Sequence, residues 1–299
     1  MVGLGRMGGN MARRLAGGGH RVVGFDIDPA VAASIQPEVD AATATLTALV
    51  QALDPPRSVW TMLPAGQPTE HTVASLAEIL EVGDTLIEGG NSYYKDSLRR
   101  AEDLRSRGLH FLDVGISGGI WGLAGGYSLM VGGDKDVVER HRPLFETLAP
   151  ASDRGWGHVG PSGAGHYVKM VHNAVEYGLM QAYAEGFDLL SAKKDFGLDL
   201  HQVAEIWRHG SVVRSWLLDL TADLLARDAV LDDVRGCVED TGEGRWAVAE
   251  AIDLEISLPV ITQALDRRLR SRQIEPFSDR LLAALRGEFG GHDVPRRPA

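Results

Sequence analysis

"GLGRMG" (residues 3–8) has the spacing G-x-G-x-x-G, with glycines at positions 3, 5 and 8. In a strand-turn-helix unit, Gly3 makes the turn, Gly5 lets the backbone approach a pyrophosphate, and Gly8 lets the helix pack closely on the sheet. The first turn of the following helix then holds the anion through its free N–H groups. The motif alone is weak, because glycine-rich turns match it by chance, and a plain strand-turn-helix is the alternative.

The residues after this motif favour a dinucleotide site. A helical run comes next, and RVVGFDIDP (21–29) then brings Asp26 to the end of a second strand. A carboxylate at this position accepts hydrogen bonds from the adenosine ribose hydroxyls and repels a 2′-phosphate. We therefore predict NAD rather than NADP as the cofactor. Asp28, which precedes Pro29, is interpreted as a helix N-cap.

Short apolar runs alternate with amphipathic segments in the first half of the chain. This pattern predicts strands at 21–25, 58–63, 85–90, 110–115 and 127–133, and helices around 8–18, 68–81, 93–107 and 134–148. Such alternation implies an α/β fold with a Rossmann-type, doubly wound parallel sheet that is covered on both faces. Only Met1 and Val2 precede Gly3, so either the first strand is stunted or the given start lies late.

The second half of the chain has a different composition and is predicted to be all-helical. Of the 36 glycines, 26 lie within residues 1–165, and the pattern after GPSGAG (160–165) is almost wholly helical. The predicted helices lie near 165–194, 199–208, 212–227, 240–256, 258–272 and 276–287. We expect a NAD-binding domain at 1–163, followed at 164–299 by a helical domain for substrate binding and oligomerisation.

Composition excludes several classes of protein. A chain of 299 residues with 44% hydrophobic and 24% charged residues is long enough for two folded domains. The net charge of −11 argues against nucleic acid as a partner and leaves anion capture to local basic groups. No apolar run of about 18 residues and no signal peptide is visible, so we predict a cytoplasmic protein with no membrane partner. A single cysteine and no HExxH-like spacing predict no metal site.

The segment GHYVKMVHNAVEYG (165–178) carries polar residues on a helix that is otherwise apolar and expected to be buried. Lys169, Asn173 and Glu176 share one face of this helix, with His172 beside them. Lys169 and Glu176 are roughly 10 Å apart along the axis, too far for a simple ion pair. A ligand bound between their tips is our hypothesis, and interhelical hydrogen bonds or a solvated stripe are the alternative.

Two glycine-flanked segments begin at the carboxyl ends of predicted strands, where open α/β sheets bind ligands. EGGNSYYKD (88–96) contains Asn91, which can bridge cofactor and substrate. DVGISGGIWG (113–122) offers the hydroxyl of Ser117 and the unobstructed amides of Gly118 and Gly119 to a carboxylate. Ordinary turn chemistry is the alternative for either segment.

The chain resembles the decarboxylating 6-phosphogluconate dehydrogenases, and their short NAD-preferring branch in particular, over essentially its whole length. The matching segments are GLGRMGGNMARRL (3–15), EGGNSYYKDSLRR (88–100), DVGISGG (113–119), GAGHYVKMVHNAVEYG (163–178) and RGEFGGH (286–292). The fourth segment is the most specific, because the related β-hydroxyacid dehydrogenases keep its lysine and asparagine but lack its glutamate and tyrosine.

The resemblance implies a reaction and a role for each catalytic residue. Lys169 would remove the proton of the substrate 3-hydroxyl while hydride passes from C3 to the nicotinamide. The β-keto acid would lose carbon dioxide while the protonated lysine stabilises the enolate. Glu176 would then protonate C1 of the enediol to give ribulose 5-phosphate, and Asn173 completes the catalytic set.

The resemblance also implies binding residues for NAD and for a phosphorylated sugar acid, 6-phosphogluconate. The cofactor contacts would be Gly3, Gly5, Arg6, Met7, Gly8, Asp26, Met62, Leu63, Pro64 and Asn91. The substrate contacts would be Asn91, Ser117, Gly118, Gly119, His172, Asn173, Tyr177, Arg268, Arg286 and His292. Arg267 and Arg270 leave the register of the phosphate-binding arginine open, and a solvated basic face is the alternative for this run.

Arg286 and His292 have the spacing of an arginine and a histidine that this family donates to the site of the neighbouring subunit. The resemblance therefore implies a homo-oligomer, either a dimer or a tetramer. Two rival functions stay open at this point. One is a β-hydroxyacid dehydrogenase of the 3-hydroxyisobutyrate type, which oxidises without decarboxylating, and the other is a catalytically silent NAD-sensing protein.

Overall fold

The computed structural model describes residues 1–290 and 293–296 and divides into two compact units, Met1–Asn173 and Ala174–Ala299. The division lies inside one long helix, Ala164–Ala192. The domain division predicted at 163/164 falls at the first residue of this helix and stays a prediction.

A twisted sheet of short strands forms the centre of the first unit. The strands are β1 (Val23–Phe25), β2 (Ala41–Thr43), β3 (Ser58–Thr61), β4 (Thr85–Glu88), β5 (His110–Ser117), β6 (Ser128–Gly133) and β7 (Trp156–Gly160). β1 pairs with β2, and the other five strands are ordered β3-β4-β5-β6-β7. Val2 forms parallel bridges to Phe25 and to Thr61 and so joins the two parts. The expected first strand is thus represented by Val2 alone.

The direction of one strand differs from the prediction. β1–β2, β3–β4, β4–β5 and β6–β7 are parallel, so the sheet is mainly parallel as predicted, but β6 runs antiparallel to β5. A parallel return needs a crossover of about a dozen residues or more, whereas only residues 118–127 separate the two strands. β2 and β7 were not predicted, because AAT and WGHVG are short and poor in β-branched residues.

Helices cover both faces of the sheet, which confirms the doubly wound arrangement. They are α1 (Arg6–Gly17), α2 (Pro29–Ile35), α3 (Leu46–Gln51), α4 (Gln67–Ala77), α5 (Tyr94–Ser106), α6 (Gly122–Gly125), α7 (Lys135–Arg140) and α8 (Arg142–Leu148). The sheet has a hydrophobic core on each face, and successive side chains of β4 enter different cores. Ile87 packs with residues of α1 and α8 on one face, and Leu86 packs with residues of α3, α4 and α5 on the other.

Helices are the regular secondary structure of the described residues of the second unit, as predicted. α9 (Ala164–Ala192) enters it and is followed by α10 (Leu200–Arg208), α11 (Trp216–Arg227), α12 (Glu243–Asp253), α13 (Pro259–Ser271) and α14 (Phe277–Gly290). Its core groups Phe187 of α9 with Ala204 of α10 and Leu218, Ala222 and Leu225 of α11. No helix within residues 1–290 and 293–296 is long and apolar enough to cross a membrane.

The side chain of His141 lies buried between α7 and β3. Its Nε2 is 2.7 Å from the Ser58 hydroxyl oxygen, and its Nδ1 is 2.8 Å from the carbonyl oxygen of Val137. Burial lowers the pKa of His141, and the nearby charges of Arg140 and His110 act in the same direction. The folded state therefore keeps this imidazole neutral to a lower pH than the unfolded chain does.

Acid should weaken the fold through His141. The unfolded chain takes up a proton near the ordinary histidine pKa of about 6.5, so the free energy of unfolding falls as the pH drops below that value. Thermal unfolding at about pH 7.5 and about pH 5.5 should show a smaller acid-induced decrease in His141→Gln than in the wild type. The exposed His209 supplies the control variant His209→Gln. Equal decreases in wild type and His141→Gln would contradict this account.

Candidate active site

The glycine-rich turn has the geometry that its spacing predicts. Gly3 has φ = +85° and donates its backbone N–H to the carbonyl oxygen of Phe25 at 2.9 Å. A Cβ at Gly8 would overlap the carbonyl oxygen of Gly3, so α1 can approach the turn only with glycine there. A Cβ at Gly5 meets nothing within 4 Å, so the second glycine faces open space.

The N-terminus of α1 is suited to an anion. Gly5 is its N-cap, no side chain caps the first turn, and no acidic residue lies in that turn. The first backbone N–H groups therefore keep their partial positive charge. Arg6 is exposed at this end and Met7 is half-buried. A pyrophosphate is the kind of group that such a helix end binds.

The carboxylate of Asp26 holds the glycine-rich turn. Its Oδ2 accepts a hydrogen bond from the backbone N–H of Leu4 at 2.7 Å, and its Oδ1 accepts one from Asp28 at 2.9 Å. The side chain of Asp28 caps α2 by accepting from the N–H of Ala30, as interpreted from the sequence. Asp26 therefore links the end of β1 to the turn before α1.

A cavity of about 310 Å³ lies beside Asp26, and no arginine or lysine is among its described lining residues. These are Phe25, Asp26, Ile27, Pro29, Ala32, Ala33, Gln36, Ala42, Thr43 and Ala44. The volume and the mostly apolar lining suit a flat heterocycle such as adenine. Sequence reasoning found only Asp26 here, and it did not predict the strand β2, which supplies Ala42 and Thr43 to the lining.

The ends of β3 and β4 meet the glycine-rich turn. The carbonyl group of Met62 and the side chain of Leu63 lie against Gly3, and the carbonyl oxygen of Leu63 lies against Gly90. Pro64 and Asn91 follow in the chain and are exposed at the same edge of the sheet. The fold thus brings together the four segments that were predicted to contact a dinucleotide.

The turn after β5 lies beside α1. Ser117 is the last residue of β5, and Gly118 and Gly119 follow with φ of +129° and +53°. Glycine is the residue that adopts such angles without strain. The side-chain amide of Asn10 on α1 donates to the carbonyl oxygen of Ile120 at 3.4 Å. The predicted carboxylate-binding turn is therefore tied to the helix that begins at the glycine-rich turn.

Lys169 lies on the second turn of α9 and packs against β5. A Cβ at Gly115 would overlap the Cβ of Lys169 and would lie 2.6 Å from the carbonyl oxygen of Gly165. Because both strand and helix have glycine here, the helix lies unusually close to the sheet. Lys169 is only 7% exposed. The side chain is therefore largely withdrawn from bulk water.

Asp113, a residue that sequence reasoning missed, fixes the start of α9. Its carboxylate is fully buried in β5 and accepts hydrogen bonds from the backbone N–H groups of Gly163, at 2.6 Å, and His166, at 2.9 Å. A carboxylate at a helix N-terminus satisfies unpaired N–H groups and opposes the helix dipole. The sequence signal that could have revealed Asp113 is an acidic residue within the otherwise apolar run HFLDVG.

A buried ion pair next to this helix start was also missed. Oε2 of Glu88, the last residue of β4, lies 3.1 Å from Nη1 of Arg100 on α5. The same oxygen is 3.6 Å from Nδ1 of His166, which in turn is 2.7 Å from the hydroxyl oxygen of Ser97. Oε1 of Glu88 accepts from the N–H of Gly90. The cluster links β4, α5 and α9 beside Asn91.

The other predicted site residues of α9 differ in burial and in the groups that they contact. The imidazole Nδ1 of His172 is 3.0 Å from Oδ1 of Asn173, which is buried. Glu176 is half-buried and stands two turns beyond Lys169 on the same helix. Tyr177 is buried, and a Cβ at Gly244 of α12 would lie 2.7 Å from its ring.

Three arginines of α13 that the sequence left open differ in their contacts. Arg268 stacks on Tyr177, with 3.6 Å between the guanidinium carbon and the ring centroid. Arg270 pairs with Asp279 at 2.5 Å, and Arg267 is exposed. Arg286 is exposed on α14, and His292 lies outside the described residues. Of the three, Arg268 is the one that stacks on Tyr177, a predicted substrate contact.

Models of two domains match this chain. The NAD binding domain of 6-phosphogluconate dehydrogenase matches residues 1–158, and the 6-phosphogluconate dehydrogenase C-terminal domain matches residues 165–294. A Haloferax volcanii protein named 6-phosphogluconate dehydrogenase, NAD(+)-dependent, decarboxylating, is 43% identical over 299 residues, which cover 99% of this chain and 98% of that protein.

Longer relatives match as well. A Bacillus subtilis 6-phosphogluconate dehydrogenase, NADP(+)-dependent, decarboxylating, is 35% identical over 290 residues, which cover 92% of this chain and 61% of that protein. The solved structure of Plasmodium falciparum 6-phosphogluconate dehydrogenase has a TM-score of 0.84 at 26% identity and covers 99% of this chain and 66% of that one. The fold and the dinucleotide-binding domain are thus shared with enzymes of differing cofactor preference.

Two glycines of the turn should respond differently to alanine. Gly8→Ala should destabilise the fold by about 1–3 kcal/mol, because the new methyl group overlaps the backbone of Gly3. Gly5→Ala should change stability by less than about 0.5 kcal/mol, since Gly5 has φ = −57° and its Cβ position is open. Thermal unfolding without cofactor measures both effects. Gly5→Ala should nevertheless weaken dinucleotide binding about tenfold or more, as its methyl group occupies the approach to a pyrophosphate.

Unchanged dinucleotide affinity in Gly5→Ala, measured by titration of the intrinsic fluorescence, would refute a pyrophosphate at this turn. A Gly8→Ala protein as stable as the wild type would refute the close packing of α1.

Proposed function

The chain belongs to the 6-phosphogluconate dehydrogenase family, and from that premise we propose that it catalyses the NAD-dependent oxidative decarboxylation of 6-phosphogluconate to ribulose 5-phosphate and carbon dioxide. The observation that carries the proposal is the buried Lys169, held against β5 on the same helix as Glu176. This reaction requires a base and an acid, and the amine of Lys169 and the carboxyl group of Glu176, two helical turns apart, can serve as base and acid respectively.

The residues around the glycine-rich turn fit NAD. The cradle of Gly3, Gly5 and Gly8 suits the pyrophosphate, and Asp26 suits the ribose hydroxyls. The cavity beside Asp26 has a carboxylate and no cation among its described lining residues, which disfavours a 2′-phosphate. Bound NAD supplies the acceptor for the hydride from C3 of the substrate.

Lys169 acts as the general base in this proposal. Its neutral amine removes the proton of the 3-hydroxyl, which builds up negative charge on that oxygen as the C3 hydride leaves. The ammonium so formed then stabilises the enolate left by the departing carboxylate, because opposite charges attract strongly in a site withdrawn from water. Close packing of its Cβ and Cγ atoms on Gly115 fixes where the side chain of Lys169 begins.

Glu176 and Asn173 complete the chemistry. Glu176 delivers a proton to C1 of this enolate, whose oxygen becomes the carbonyl oxygen of the product ketose. The carbonyl oxygen of Asn173 can only accept a hydrogen bond, so Nδ1 of His172 carries the proton between them. That bond directs the amide N–H₂ of Asn173 toward the sugar acid as a donor. Asn91 and the turn of Ser117, Gly118 and Gly119 hold the rest of the substrate.

Arg268 and Tyr177 bind the substrate phosphate in this proposal. A guanidinium stacked on an aromatic ring keeps a fixed plane, and its N–H groups match two phosphate oxygens. Arg270 is less suited, because its guanidinium contacts the carbonyl oxygen of Gln273 and the carboxylate of Asp279, whereas Arg268 contacts Tyr177. Arg286 and His292 are proposed to enter the site of a neighbouring subunit, which makes the active form a homo-oligomer. The exposed position of Arg286 on the last helix supports this role.

The test of the proposal measures NADH formation and evolved carbon dioxide together. With 6-phosphogluconate, both products should appear in equal amounts, and with gluconate or 3-hydroxyisobutyrate the turnover should be much slower. Oxidation of 3-hydroxyisobutyrate without carbon dioxide would favour the β-hydroxyacid dehydrogenase alternative. NAD binding without turnover of any of the three would favour a sensing protein.

Lys169→Met should lower kcat about 10²–10⁴-fold, because the variant keeps the apolar stem but removes the base. The dissociation constant of NAD should stay within about twofold of the wild type, since Lys169 acts on the substrate. The exposed Lys135 gives the control variant Lys135→Met, which should match the wild type in both measurements. Wild-type turnover in Lys169→Met would remove this lysine from the base role.

The cofactor preference should shift toward NADP in the double variant Asp26→Asn with Ile27→Arg. Asparagine keeps an acceptor for the N–H of Leu4 but loses the charge that repels a 2′-phosphate. Ile27 is 92% exposed beside the cavity, so an arginine there can reach that phosphate. The ratio of kcat/KM for NADP over NAD should rise about tenfold or more. An unchanged ratio would refute the ribose role of Asp26.

A further inference from the structure

Three arginines converge on one short segment of the second unit, Val238–Gly242, called here the 238–242 segment. Asp240 in this segment pairs with Nε of Arg245 on α12 and lies 3.7 Å from Nη2 of Arg272, just after α13. It also accepts a hydrogen bond from the N–H of Gly242 at 3.0 Å. The side chain of Asp240 is completely buried. Its carboxylate therefore ties the segment to two neighbouring elements.

Asp240 stays charged at neutral pH. Burial alone would raise the pKa of Asp240, but the hydrogen bonds from Arg245 and Gly242 and the charge of Arg272 hold the pKa below its ordinary value. A buried carboxylate with several donors is a fixed point, because moving it would leave a charge without partners. The backbone on either side of Asp240 is accordingly held in place.

The residue before Asp240 holds Arg268. Nη1 of Arg268 donates to the carbonyl oxygen of Glu239 at 2.8 Å. The N–H of Val238 donates to the hydroxyl oxygen of Ser271, one turn further along α13, at 3.0 Å. Arg268 is thus fixed from two sides, by the ring of Tyr177 and by the backbone of the 238–242 segment. Two supports determine both the plane of the guanidinium and its rotation within that plane.

We propose that Asp240 is a positioning residue for Arg268, and that by anchoring the 238–242 segment it determines the preference for a phosphorylated over a non-phosphorylated sugar acid. This inference rests on the proposed function. Binding of a phosphate by two parallel N–H groups requires a fixed guanidinium plane, so loss of the anchor weakens the phosphate contact before any other. Asp240 does not touch the phosphate itself, because two anionic groups would repel each other.

The test compares 6-phosphogluconate with D-gluconate, which shares the carboxylate and hydroxyl groups but lacks the phosphate. In Asp240→Asn, KM for 6-phosphogluconate should rise about tenfold while kcat stays within about twofold. The inhibition constant of D-gluconate against 6-phosphogluconate should not change. The matched control is Asp279→Asn. It removes the acidic partner of Arg270, which lies on α13 with Arg268, and it should leave KM, kcat and the inhibition constant unchanged.

A double-mutant cycle with Arg268→Met separates positioning from a general structural role. If Asp240 acts through Arg268, then adding Asp240→Asn to Arg268→Met should raise KM no further. A further rise of about tenfold in that background, or an equal rise in the D-gluconate constant, would overturn the inference. A lower KM in Asp240→Asn would also overturn it, because released Arg245 and Arg272 would then be binding the phosphate.

Arg245→Gln removes one partner of Asp240 and tests the same idea without leaving a buried amide in place of a charge. Since Arg245 is half-exposed, this variant should fold, and it should raise KM for 6-phosphogluconate in the same direction by a smaller factor. If both Arg245→Gln and Asp240→Asn keep the wild-type KM, the positioning role of Asp240 is refuted, but the proposed function is not. A wild-type enzyme that does not oxidise 6-phosphogluconate would instead refute the proposed function.

Discussion

The close packing of α9 on β5 is the constraint on which the rest of the site depends. The carboxylate of Asp113 fixes the first turn of the helix by accepting from the N–H groups of Gly163 and His166. Gly115 and Gly165 then remove the side chains that would hold helix and strand apart. The Cβ of Lys169 is therefore held against β5, and the same helix continues to Glu176 and Tyr177. A helix standing one side chain further out would carry the same residues without this geometry.

Buried charge reinforces this arrangement in the first unit. Glu88, Arg100 and His166 meet at the ends of β4, α5 and α9, where all three side chains are withdrawn from water. Such a pair contributes little net stability, since desolvation offsets the attraction between its charges. It fixes geometry instead, because each partner must stay where its hydrogen bonds are made. Asn91, a proposed substrate contact, lies close to Glu88 in the chain, so the cluster helps to set its position.

A buried or partly buried carboxylate holds the backbone beside the proposed pyrophosphate site and beside the proposed phosphate site. Asp26 accepts from the N–H of Leu4 and so supports the turn that suits a pyrophosphate. Asp240 accepts from the N–H of Gly242 and so supports the segment that contacts Arg268. In each case an acidic residue near a turn fixes the position of a neighbouring group, and we propose that this group binds an anion. The proposed function therefore relies on local order to capture anionic ligands, because the long-range field of this acidic chain repels them.

The sequence by itself determined the α/β class, the helical second half, the glycine roles and the shared face of Lys169 and Asn173, because these follow from spacing along a single strand, turn or helix. It did not reveal the antiparallel β6, the strands β2 and β7, the cavity beside Asp26, or the roles of Asp113, Glu88 and Asp240. Nor did it separate Arg268 from Arg267 and Arg270, which only the contact with Tyr177 distinguishes. Tertiary structure decided these points for one physical reason. Each depends on which groups from distant parts of the chain become buried together, and the cost of burying a charge or a polar group without a partner selects the partner.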